Sequence, residues 1–163
     1  MMVKWVKVLG DQYIGFWILG LVLFALQEIP YMVMPLFKLE NNPIMNMQES
    51  SAILNIFEKV IGVLCIIIMT FIVQEKVTFF NVGNGLCKIG FFLAVFVLLL
   101  NFVGWGIYFS GHQTIGIMMF FIVMLPPLYY VFIGLWRENW LLLITGILFE
   151  IIHFSHVYGN LKM

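Results

Sequence analysis

Four stretches of the chain stay apolar for about twenty residues each: Ile14–Leu36, Ala52–Val73, Ile89–Phe109 and Thr114–Phe132. A helix needs about 20 such residues to cross the hydrocarbon of a bilayer. A fifth stretch, Asn139–His156, covers about 27 Å at 1.5 Å per residue, just enough to cross. It holds Glu150 and His153, so it crosses only if those side chains face protein or water. From Trp140 to Phe149 it is apolar all round rather than one-sided, which favours crossing over lying on a surface. The pattern predicts an all-α membrane protein, a bundle of five helices in one domain. The competing reading has four spans and a C-terminal interfacial helix.

Prolines modify two of these helices. Pro30 has no N–H to give the Leu26 carbonyl, and Pro35 none for Tyr31. The first helix is therefore expected to kink or loosen beside Glu28. Pro126 and Pro127 are expected to break the fourth. Lys4 and Lys7 precede the first apolar run as in a signal peptide, but Asp11 interrupts the approach and no A-x-A site follows, so the run reads as a retained membrane helix.

Composition agrees with the pattern. The chain is 63% hydrophobic and 10% charged over 163 residues, with a mean hydropathy of +1.07. Soluble domains are about 45–50% apolar and about 25% charged, and a water-soluble core of this size has no room for so much apolar surface. Eight basic and eight acidic residues leave no net charge, and no basic run suggests a nucleic-acid partner. Cys65 and Cys87 lack C-x-x-C spacing and read as buried small hydrophobes.

The few lysines and arginines set an orientation. One side of a five-span bundle carries Lys4, Lys7, Lys76, Lys88 and Arg137, and the other Lys38 and Lys162. The more basic side faces the cytoplasm. The expectation is a multi-pass protein of the cell membrane with its N-terminus inside and its C-terminus outside. Trp5, Trp17, Tyr129, Tyr130, Trp136 and Trp140 would then form an inner aromatic belt, with Tyr31, Trp105, Tyr108 and Tyr158 toward the outer one.

The polar residues inside the spans fall at one depth. Counted from the outer helix ends, Glu28, Glu58, Asn101 and Glu150 lie roughly 9–12 Å deep. Gln27 and Lys59 share the layer, and Asn55, His112, His153 and His156 lie above it. A charge at mid-bilayer costs roughly 2.5–3.5 kcal/mol on insertion scales. Three glutamates facing lipid are costly, whereas three sharing an outward-open polar pocket are tolerable, with coupled titrations. Helix spacing supports such faces: Asn55, Glu58, Gly62 and Cys65 on one helix, Ala94, Asn101, Trp105 and Tyr108 on another, and Gly146, Glu150 and His153 on the last. The expected lining is Gln27, Glu28, Asn55, Glu58, Asn101, Trp105, Glu150 and His153. The bland alternative pairs a glutamate with Lys59 for structure alone.

Three kinds of function fit this pattern. The first is binding of a small amphiphilic or cationic ligand in the acidic pocket, with membrane lipid around it. The second is an isomerase-like enzyme using Glu28, Glu58, Glu150 and His153 for acid–base chemistry on a lipid-like substrate. The third is an accessory subunit, in a homo-oligomer or with a partner membrane subunit. Glu150, His153 and His156 contain one E-x-x-H pair, but carboxylate-bridged di-metal bundles need two, so no metal or other cofactor is expected.

Overall fold

The computed structural model describes residues 2–37, 39, 42–75, 82–83 and 85–161. Five helices are long and apolar enough to cross a membrane: α1 with its short 3₁₀ extension (Ile18–Leu36), α2 (Ala52–Phe71), α3 (Gly85–Phe109), α4 (Ile115–Trp136) and α5 (Trp140–Leu161). The expected spans therefore recur with shifted ends. α3 begins earlier, and α4 and α5 run further, because apolar helix-forming residues continue beyond the sequence boundaries.

The N-terminal region corrects the all-helical expectation. β1 (Met2–Leu9), β2 (Gln12–Trp17) and β3 (Ile72–Gln74) form an antiparallel sheet in the order β1-β2-β3. Ile14–Trp17, read above as the start of a helix, is strand, and so are Ile72 and Val73. The cause is local. Val3 to Leu9 is rich in β-branched residues, and Gly10–Asp11 closes a two-residue hairpin loop with Leu9 opposite Gln12. Gly10 has φ +55°, which a glycine adopts at little cost. β2 runs directly into α1 and β3 directly out of α2, so the sheet caps one end of the bundle. Gly15 is required there: a Cβ would collide with the Val3 carbonyl and lie 2.6 Å from Val73 Cγ2.

Helices approach one another closely at small residues. A Cβ on Gly146 would lie 3.0 Å from the Val131 nitrogen, so α5 packs backbone to backbone on α4, as its glycine suggested. Gly90 does the same for α3 against Trp136. The core near the sheet joins Trp17, Cys65, Met69, Tyr129, Ile133, Trp136 and Leu142. Neither cysteine is in a disulfide and both are buried, the Cys87 thiol 3.4 Å from Glu138 Oε1. The aromatic belt is accordingly corrected. Trp17, Tyr129, Tyr130 and Trp136 are core residues, as are Trp105 and Tyr108, while Trp5 and Trp140 remain exposed. Rings this large gain most by full burial. Arg137 is buried among them, with its guanidinium 4.2 Å from the Trp17 ring centre. Burial lowers its pKa to about 10.

Pro126 and Pro127 widen α4 rather than break it. The segment Met118–Met124 is a π-helix, where an N–H bonds the carbonyl five residues earlier. In that register the two prolines leave the Phe121 and Ile122 carbonyls without donors. Asn101 Nδ2 donates to the Phe121 carbonyl at 2.8 Å, and the Tyr31 hydroxyl to that of Ile122 at 3.0 Å. Two other helices thus complete the backbone bonding of α4. α1 runs on through Pro30 to Val33 as continuous helix.

Candidate functional site

About midway along the bundle, α1, α2, α4 and α5 line a recess of about 190 Å³. Its polar lining is Gln27, Glu28 and His153, and its aromatic walls are Tyr31, Tyr130 and Phe149. Gln27 and Glu28 come from α1, one turn before Tyr31, whose hydroxyl is anchored on the widened turn of α4. Gly62 of α2 leaves room for the Phe149 ring, which a Cβ would meet at 3.2 Å.

Gln27 is only 2% exposed, and its Oε1 has no hydrogen-bond partner among the described residues. A buried amide oxygen left unpaired costs about 1–3 kcal/mol. Gln27 and Glu28 both line the recess, so what enters it meets two side chains able to accept hydrogen bonds.

His153 connects the recess to a second polar group. Its Nδ1 lies 2.9 Å from Glu58 Oε1, and the other Glu58 oxygen bonds Nδ1 of His156. An ionised carboxylate only accepts, so Nδ1 carries the hydrogen in both rings. His156 Nε2 lies 3.3 Å from Asn160 Nδ2, and Asn160 Oδ1 accepts from the Ser50 nitrogen and hydroxyl at 2.8 and 2.6 Å. The chain of contacts joins the end of α5 to the residues before α2. The spacing of three between His153 and His156 puts both rings on the side of α5 that meets α2.

The expected site residues divide accordingly. Gln27, Glu28 and His153 share the recess, and Glu58 reaches it through His153. Asn101 and Trp105 do not line it. Asn101 completes the α4 backbone, and Trp105, 1% exposed, packs edge-on against Tyr31 with ring centres 4.7 Å apart. Asn55 donates to Glu49 at 2.6 Å. Glu150 is partly buried outside this lining, with Oε2 enclosed and unpartnered among the described residues. Lys59 is exposed, and no ion pair of it is found among the described residues, so the pairing with Lys59 is replaced by pairing of Glu58 with two histidines. Lys38, Lys76 and Lys162 lie outside the described residues. No group of three or more His, Cys, Asp or Glu placed to hold a metal is found among the described residues.

Tyr130, expected in the inner aromatic belt, and Phe149 are lining residues that the sequence does not announce as such. The 3.6-residue period carries the signal for Phe149, which stands four residues before His153. Tyr130 follows the proline pair and has no such marker. No protein-family model matches the chain, and no curated protein or solved structure does either.

Proposed function

We propose that the five apolar helices cross a bilayer, with the sheet and Arg137 on the cytoplasmic side, and that the recess binds the head of a small cationic amphiphile. The observation that carries this reading is the unpartnered Gln27 Oε1 beside Glu28, in a recess walled by Tyr31, Tyr130 and Phe149. Two adjacent acceptors call for a donor with several N–H groups. Aromatic faces attract a cation by about 0.5–2 kcal/mol. Binding sites for whole small molecules usually measure about 300–1,000 Å³. At about 190 Å³ the recess suits a head group, leaving the alkyl chain along the outside of the helices.

Dodecylamine and dodecanol separate charge from greasiness. Their binding to the purified protein in phosphatidylcholine nanodiscs is measured by calorimetry. Dodecylamine should bind at least tenfold more tightly than dodecanol, and Glu28→Gln should remove most of that preference while leaving the fold intact. Equal binding of the two probes, or an unchanged preference in Glu28→Gln, overturns the reading.

A second reading is acid–base catalysis, favoured by the Glu58–His153 pair. A carboxylate on Nδ1 fixes the ring tautomer and leaves Nε2 as a base, on a ring that lines the same recess as Glu28. A lipid-like substrate whose proton shifts between two carbons would need two such groups. Proton exchange from a bound deuterated substrate, lost in His153→Gln, is the measurement that would favour it.

A further inference from the structure

A second glutamine–carboxylate neighbour pair, Asp11–Gln12, lies at the sheet end. Gln12 is 5% exposed, and its Oε1, like that of Gln27, has no partner among the described residues. Gln12 and Asp11 line an open recess of about 410 Å³, which also takes in Leu9, Trp140 and Ile144. A neighbouring recess of about 260 Å³ shares Asp11, Gln74 and Trp140 with it. The backbone holds this site firmly. The Asp11 carbonyl accepts from the Glu75 nitrogen at 2.8 Å, which locks the hairpin loop onto the residue after β3. Gln74 is committed already: Oε1 accepts from the Glu75 nitrogen at 2.9 Å, and Nε2 donates to the Glu138 carbonyl at 3.4 Å. Asp11 and Gln12 are therefore the acceptors left for a ligand.

We propose that this site binds the primary ammonium of an aminophospholipid of the phosphatidylethanolamine type. The choice rests on three features. First, an unpartnered amide oxygen beside a carboxylate demands N–H donors, which a primary ammonium has and a quaternary choline group lacks. Second, the remaining walls are apolar and outward-facing. Leu9 is 65%, Trp140 57% and Ile144 61% exposed, so an acyl chain has a surface to follow while the head turns in. Third, the site lies at the β1–β2 loop and the end of β3, beside the start of α5. That is the level of phospholipid head groups if the helices cross the bilayer, a reading on which this proposal depends.

The test uses the full chain in phosphatidylcholine bilayers containing phosphatidylethanolamine of matched acyl chains, followed by native mass spectrometry of the released protein. Phosphatidylethanolamine should be retained at least fivefold over phosphatidylcholine. Asp11→Asn, an exposed loop change that keeps the side-chain shape, should abolish that preference, and Glu28→Gln should not. Equal retention of the two lipids overturns the proposal. So does a preference that survives Asp11→Asn. A preference lost in Glu28→Gln instead moves the ammonium to the recess among the helices, overturning this site while supporting that one. Free ethanolamine binding as tightly as the lipid overturns the assignment to a lipid. Failure of the protein to enter bilayers at all overturns the membrane reading and this proposal with it, an outcome separate from equal retention in a protein that does enter.

Discussion

Gln12 at the sheet end and Gln27 midway along the bundle make the same offer, and the two sites are built differently. At the sheet end the ligating atoms are placed by backbone: the β1-β2-β3 ladder and the bond from the Glu75 nitrogen to the Asp11 carbonyl. At the recess they are placed by side chains, with Tyr31 held on α4 and His153 held by Glu58. A ladder of peptide groups carries no net charge and tolerates little added volume. A carboxylate held between two imidazoles makes the other site sensitive to added charge, and a ring wall yields more readily than backbone. The contrast predicts which site is rigid and which adjusts.

The largest effect should come from adding a single methyl group at each site. At Gly15 it meets backbone, the Val3 carbonyl, as well as Val73. Overpacking usually costs about 1–3 kcal/mol and more where backbone must move, so Gly15→Ala should destabilise by about 3 kcal/mol. At Gly62 it meets only the Phe149 ring at 3.2 Å, and Gly62→Ala should change stability by less than about 1 kcal/mol, helped by the better helix propensity of alanine, while weakening dodecylamine binding as Phe149 is pushed into the recess. Denaturant unfolding in detergent measures the first, calorimetry the second. Similar stability losses at the two glycines would remove the distinction between a backbone-built and a side-chain-built site.

Two asparagines give the next contrast. Asn139 uses both halves of its amide. Oδ1 accepts from the Leu142 nitrogen at 3.1 Å at the start of α5, and Nδ2 donates to the Ile72 carbonyl at 3.0 Å, tying the helix to the sheet. Asn101 uses only Nδ2, on Phe121, and its Oδ1 is unpartnered among the described residues. Loss of a helix cap costs about 1 kcal/mol, and an orphaned buried carbonyl about 1–3. Asn139→Leu should therefore cost about 3 kcal/mol. Asn101→Leu should cost about 1, because removing its unsatisfied oxygen offsets part of the loss. Unfolding midpoints of the two variants check the order, and a reversed order would show that the widened turn of α4 depends on Asn101 more than the sheet depends on Asn139.

The sequence revealed these two sites unequally. Long apolar runs mark helices whatever their neighbours do, which is why five were legible and why Glu28, Glu58, Asn101 and Glu150 fall at one depth, with His153 above them. The sheet was hidden by the same signal. Tyr13–Trp17 is apolar and adjoins an apolar helix, so it merges into one run, and only the β-branched Val3–Leu9 with Gly10–Asp11 betrays the hairpin. Glu58 also illustrates a limit of depth. Depth placed it near Glu28, Glu150 and Lys59, but the choice of His153 and His156 depends on how α2 and α5 are rotated, which their close packing decides. The prolines of α4 remove donors in any register. That the carbonyls they free are Phe121 and Ile122, met by Asn101 and Tyr31, follows from a π turn that no periodicity announces.

The smallest effect is the most specific to the comparison. The groups facing His153 and His156 are Glu58 from α2 and Asn160 from α5 itself, with Glu28 and Tyr31 from α1 and Tyr130 from α4 around the same recess. No histidine lines the sheet-end site, where Asp11 is the proposed anion. A permanent cation in place of His153, as in His153→Lys, adds a positive charge near Glu28 and opposes an ammonium there. At a separation of about 8 Å and an effective dielectric of about 40, a unit charge is worth about 1 kcal/mol, or about fivefold in Kd. Dodecylamine bound in the recess should therefore weaken about fivefold in His153→Lys, as read by calorimetry. Phosphatidylethanolamine retention at the sheet end should stay level in the same variant. His153→Gln, which keeps a hydrogen bond to Glu58 without adding a charge, should not reproduce the loss. Equal weakening at the two sites would mean that charge beside Glu28 does not set the affinity of the recess, and the division into a charge-responsive site and a fixed one would fail.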